Sequence, residues 1–224
     1  MSITLSIYDV FANLLPGLLY LFAINEFFKS IGLNHIDQAD LTAAPQTLGA
    51  LTLGYILGHL FNTFTYTGWY KLIYRNGSDQ DRNNQKGDNG KALDSLRKQY
   101  PDLNFKSFFP RDADLLFSAI QIKNKELADR IETIRVTAIM MRNISFGLSL
   151  LGVVELINFV NSQFLLYHLG LGLVCLVGSM AALMQTSKYY QWFYKDVFRI
   201  AALYGDSLHS VVNLFRKDSK TKSK

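Results

Sequence analysis

Apolar residues dominate the chain from Ile144 to Met184, a run of 41 residues holding one acidic side chain, Glu155, and no Lys or Arg. The run is interrupted once, by the polar Asn161-Ser162-Gln163. A hydrocarbon core about 30 Å thick takes about 20 apolar residues of helix. The pattern therefore predicts two membrane spans, about 143–162 and 164–184, joined by a tight turn. Two further apolar stretches lie upstream, at about 10–28 and 46–70. The first contains Asn13, Pro16 and Gly17, which a membrane helix tolerates when its neighbours satisfy the freed backbone groups. The second is the least hydrophobic, with Gly49, Gly54, Gly58, His59, Asn62 and several threonines.

Between and after these stretches the pattern changes. Asn76–Gly90 holds no large apolar residue and reads as a loop; a short helix is expected over Lys91–Tyr100, ending before Pro101. From Asp112, a potential cap, apolar positions Leu116, Ile120, Leu127, Ile131, Ile134, Ala138 and Met141 recur at helical spacing. No Gly or Pro follows until Gly147, so one straight helix is expected from Asp112 into the third span. Its 31 residues to Arg142 would extend about 45 Å at ~1.5 Å per residue. Beyond the fourth span, Phe193, Val197, Ile200, Tyr204, Leu208, Val211 and Phe215 keep helical spacing, which predicts an amphipathic helix. Its partner would be the stripe on helix 112–142 or, alternatively, an anionic lipid surface. The last residues, Arg216–Lys224, read as a basic tail.

The expected class is therefore all-α: a four-span transmembrane helical protein with a small helical cytoplasmic domain formed by extensions of spans three and four. The organisation is 1–70 (spans one and two), 71–142 (cytoplasmic loop and helix), 143–184 (the hairpin) and 185–224 (amphipathic helix and tail). A mean hydropathy of +0.09 conceals this division. Charge then sets the orientation. Of 23 Lys/Arg, 14 fall in 71–143, 8 in 185–224, and Lys29 alone lies between the first two spans. Basic residues mark cytoplasmic loops, so both termini are expected in the cytoplasm. The first span follows no signal-peptide pattern of charge and small-residue cleavage site, so it reads as retained.

Polar and small residues within the spans are the candidates for function. His168, Gly172, Cys175, Ser179, Ala182 and Thr186 form one stripe on the fourth span, and Ser145, Ser149, Gly152, Glu155 and Ser162 a looser one on the third. The second span offers Gly54-x-x-x-Gly58 followed by Asn62. Such stripes form helix-packing or oligomer seams through close approach and interhelical hydrogen bonds; alternatively, one of them lines an aqueous path. Glu155 stands apart, because an acidic residue at the centre of a span costs about 2.5–3.5 kcal/mol. A tight hairpin places His168 at its depth. Three readings follow for the two: a structural pair, a solvated vestibule, or an ion pathway. His59 reads as a satisfied bundle histidine, and Arg135 and Arg142 as snorkelling anchors at the mouth of the third span.

Enzyme signatures are missing: there is no nucleophile elbow, P-loop, zincin helix or dinucleotide fingerprint. Asp112-Ala-Asp114 is explained by helix capping, and the single Cys175 builds neither a disulfide nor a zinc site. No catalytic residue, metal or cofactor is expected, and no direct nucleic-acid binding. Asn76-Gly-Ser78 and Asn143-Ile-Ser145 match the glycosylation pattern but fall on the cytoplasmic side.

Leu15-Pro16-Gly17 in the first span and Leu53-Gly54-Tyr55-Ile56-Leu57-Gly58-His59 in the second resemble multi-pass inner-membrane proteins of bacterial antiviral defence loci. The resemblance covers about the first 70 residues and carries over no ligand or catalytic residue. It implies a homo-oligomeric effector that damages or depolarises the membrane when a soluble cytoplasmic partner signals. From the residues alone, a membrane anchor that recruits or senses a soluble partner is the alternative, and a small transporter broken at Pro16-Gly17 the third.

Overall fold

A computed structural model describes residues 7–33, 44–70, 98, 111–162 and 165–208. Among them the chain is helical, with no strand. The helices are α1 (Ile7–Ser30), α2 (Ala44–Phe64), α3 (Arg111–Lys123), α4 (Lys125–Asn161) and α5 (Leu166–Tyr204). A π-helical turn, Thr65–Tyr70, extends α2, and a 3₁₀ turn, Gly205–Leu208, follows α5. Three helices are long and apolar enough to cross a membrane: α1 from Val10, α4 and α5. α2 is not among them, because Gln46, His59, Asn62 and its threonines lower its hydropathy. The expected loop 76–90, the helix 91–100 and the tail 216–224 lie outside the described residues, apart from Lys98, which is helical and exposed.

The chain divides into two units. One is drawn from Met1–Tyr74 and Val136–Lys188, the other from Arg75–Arg135 and Tyr189–Lys224. Each of α4 and α5 thus contributes residues to both.

In the first unit, close helix contacts are made at glycines. A Cβ at Gly17 would overlap the carbonyl of Gly54, and one at Gly58 would overlap the backbone of Asn13. α1 and α2 therefore touch backbone to backbone. Pro16 is fully buried beside this contact, and α1 runs through it without interruption. The anticipated break at Pro16-Gly17 does not exist; the pair serves packing instead. α1 stops at Gly32, whose φ of 73° suits glycine. There Leu33 N donates to Phe28 O and Gly32 N to Lys29 O, the paired bonds of a Schellman motif. Gly147 meets Leu19 and Tyr20 of α1, and Gly152 of α4 faces Gly172 and Leu176 of α5.

These contacts make a sharp prediction. Gly58→Leu should force α1 from α2 and remove the monodisperse peak on size-exclusion chromatography in detergent, since overpacking costs about 1–3 kcal/mol even without backbone overlap. Gly49→Leu, where a Cβ meets nothing within 4 Å, should elute as the parent does.

The second unit has its own core. Leu116, Phe117 and Ile120 of α3, Ala128 and Ile131 of α4, and Phe193, Val197, Phe198 and Ala201 of α5 are buried together with Leu208. The stripe on α5 thus finds the helical partner anticipated for it. The straight helix over 112–142 does not form. Asn124 ends α3 through its N–H to Ile120 O, and starts α4 by accepting Leu127 N–H on Oδ1 at 3.1 Å. That is an N-cap. Asp114 then lies 3.8 Å from Arg135, although 21 residues of straight helix would separate them by about 32 Å. α3 therefore doubles back along α4. The reason is local: an asparagine side chain offers the backbone an alternative to the helix interior. α5 likewise does not continue to Phe215 as an α-helix. It ends at Tyr204, before Gly205 at a φ of 49°; residues 209–215 lie outside the described part.

Candidate functional site

Among the described residues of the first unit, two groups of interacting polar side chains are built on α4. The larger surrounds Arg142, whose residue is 3% exposed. Its guanidinium donates to the side-chain oxygen of Asn62 on α2 and, at 3.3 Å, to the Asn62 carbonyl. It also lies 5.3 Å from the centre of the Tyr66 ring, an attractive cation–π distance. The neighbouring Asn143 is fully buried. Its amide reaches the Asn62 side-chain oxygen at 3.4 Å, its Oδ1 lies 2.6 Å from the Thr65 hydroxyl, and its carbonyl accepts Tyr20 OH at 2.8 Å. One turn on, Ser145 receives Trp69 Nε1–H at 3.2 Å and donates to Ser179 O at 2.8 Å; Ser179 Oγ returns a bond to Ser145 O at 2.7 Å. The network thereby joins α1, α2, α4 and α5.

Local structure explains how α2 supplies so many groups. Directly after Phe64 the helix widens into the π-helical turn, a rare form that occurs mostly as a single turn and is frequent at functional sites. Thr65, Tyr66 and Trp69 of that turn all face the Arg142 layer. An aromatic cluster covers the same level: Phe146 makes ring contacts with Tyr20, Phe61, Phe64 and Trp69 at centroid distances of 5.4–5.9 Å. Water-excluding rings strengthen the polar bonds beneath them, and make an unmade one costlier.

The second site is simpler. Glu155, with its side chain 6% exposed, lies 2.7 Å from Nδ1 of His168, which is 26% exposed. The structure thus brings the two sequence candidates into direct contact across the α4–α5 hairpin. The carboxylate is buried and the imidazole partly exposed, so the contact joins the interior of the unit to its surface.

The other candidates fall as follows. Gly152, Gly172, Cys175 and Ser179 are engaged in the seam between α4 and α5, and Gly54 and Gly58 in the seam between α1 and α2. All six make packing contacts within the chain. Asn62 is central, as the partner of Arg142. His59 is not a bundle histidine: it is exposed and stacks on Tyr55 at 5.9 Å. Arg142 is not a snorkelling anchor either, because it points into the bundle, where Asn62 and Tyr66 receive it. Arg135 pairs with Asp114 and lies 5.6 Å from the Phe193 ring centre, within the second unit. Asn143 is buried and so closed to glycosylation. Sequence reasoning missed Tyr20, Trp69 and the buried roles of Arg142 and Asn143. An arginine and an asparagine together at the edge of an apolar run were the available signal. Among the described residues no group of His, Cys, Asp and Glu could hold a metal ion.

No family model, curated protein or solved structure matches the chain.

Proposed function

We propose that this is a four-span protein of the bacterial inner membrane, with both termini in the cytoplasm, acting as an oligomeric effector that permeabilises or depolarises the membrane under control of a soluble partner. Residues 41–70 contain no charged side chain, and α2 exposes Leu48, Leu53, Ile56, Leu60 and Phe64. That supports α2 as the fourth span. The bias of basic residues supports the orientation, and the resemblance of the first 70 residues supports a place in antiviral defence.

The observation that carries an active role is the burial of two ionisable side chains, Arg142 and Glu155, within the first unit. Ionisable residues at depth are expensive and by default mark function, and a passive anchor requires neither. Because the glycine and serine seams are engaged within one chain, copies would assemble through outward faces. A second reading, a scaffold that recruits a soluble partner, draws support from the independent core of the α3–α4–α5 unit.

The two separate in one experiment. Bacteria expressing the protein are challenged with phage while a voltage-sensitive dye reports membrane potential. An effector depolarises the cells, and Glu155→Gln weakens the response. Protection with the potential intact removes the effector. Reversing the exposed Asp129 and Arg130 on α4 should abolish partner pull-down for a scaffold; normal binding and protection would remove that reading.

A further inference from the structure

A half-open cavity of about 260 Å³ lies between α1 and α4 in the first unit. It is lined by Ala23, Ile24 and Phe27 on one side and by Leu150, Val153 and Ile157 on the other, with no hydrogen-bonding side chain in its wall. A purely apolar cavity does not retain water and takes an apolar guest. Its two ends differ. At one, Gly147 is pressed against Leu19 and Tyr20, which brings α1 and α4 together and closes the groove. At the other, one turn beyond Phe27 and Ile157, Asn161 Nδ2 reaches the Ser30 carbonyl at 3.4 Å, a polar rim. The side wall is open where Phe27 and Val153 are exposed, 37% and 51%.

We propose that this groove binds one acyl chain of a membrane glycerophospholipid. The inference rests on the reading that α1 and α4 cross the bilayer. A blind apolar slot with a polar rim at one end matches a lipid tail below its ester linkage. A methylene occupies about the volume of a water molecule, ~30 Å³, so the cavity takes roughly eight or nine carbons. A helix from a second copy is about 10–12 Å across with its side chains and could place only a side chain or two here. The exposed amide of Asn161 is positioned to donate to an ester or phosphate oxygen. The outward face of α5, by contrast, presents Leu173, Val174, Val177 and Met180 to ordinary boundary lipid.

The test uses the full chain in phosphatidylethanolamine–phosphatidylglycerol vesicles doped with a phospholipid carrying a diazirine midway along one acyl chain. After irradiation, adducts are mapped by mass spectrometry. Labelling of Ala23–Phe27 and Leu150–Ile157 should exceed that of Val174 and Val177 several-fold. Val153→Trp, which fills the exposed mouth, should return the groove to the α5 level. Equal labelling at both places overturns the proposal and leaves the bilayer reading intact, and so does a groove that yields chain-to-chain crosslinks instead of lipid adducts. No labelling at either place overturns both.

Discussion

Asn62→Leu should destabilise the protein by about 3 kcal/mol, because it removes the neutral oxygen that receives a buried guanidinium. A hydrogen bond to a charged group contributes about 1.5–3 kcal/mol, and withdrawing its acceptor from a dry interior adds a desolvation penalty. The reciprocal change, Arg142→Met, should cost less. It leaves no buried charge behind, and Asn62 keeps its contact with the Asn143 amide. The double variant, Asn62→Leu with Arg142→Met, should recover most of the loss, as apolar replacement of a buried polar pair often does. Thermal unfolding in detergent measures all three. Strict additivity would show that the two side chains are not energetically coupled, and the polar layer would lose its role as the clamp on four helices.

The second large effect lies at the hairpin. His168→Leu takes the only described ion-pair partner from a carboxylate that is 6% exposed. The expected loss is about 2.5–3.5 kcal/mol, the cost of an acidic group at depth. Glu155→Gln should be milder, since a neutral amide still meets the imidazole and carries no charge to bury. The order of the two variants is the decisive result. If Glu155→Gln unfolds the protein more readily than His168→Leu, desolvation of the carboxylate is not what the histidine offsets.

Much of this architecture was legible in the pattern of side chains. The α4–α5 hairpin followed from a long run without Lys or Arg that is broken once, and the similar depth of Glu155 and His168 from their places on either side of the turn; that the two pair was one of three readings the sequence left open. The amphipathic stripe on α5 found its partner on α3 and α4, because a helix with one apolar face must cover it. What escaped notice depended on single side chains acting against a regular period. Asn124 carries no helix-breaking signature, yet its side chain caps a new helix and folds α3 back. Arg142 sits where a basic residue ordinarily anchors a span in headgroups. Only tertiary contact with Asn62 and Tyr66 turns it inward. The π-helical turn is equally invisible, since nothing in the sequence Thr65–Tyr70 distinguishes a π turn from a continued α-helix. Stripes of small residues mark places where helices approach closely, but they do not state whether the facing helix belongs to the same chain.

The backbone contacts at Gly17, Gly54, Gly58, Gly152 and Gly172 also bear on how this protein can change over generations. A position whose missing Cβ is occupied by a neighbour's carbonyl or side chain has few substitutes, whereas Val174, Val177 and Met180 on the outside of α5 are interchangeable with any greasy residue. Drift should therefore be fast around most of each helix's circumference and nearly halted along one narrow line. Two distant descendants of this chain would share few identical residues, and those few would trace the axes along which the helices touch.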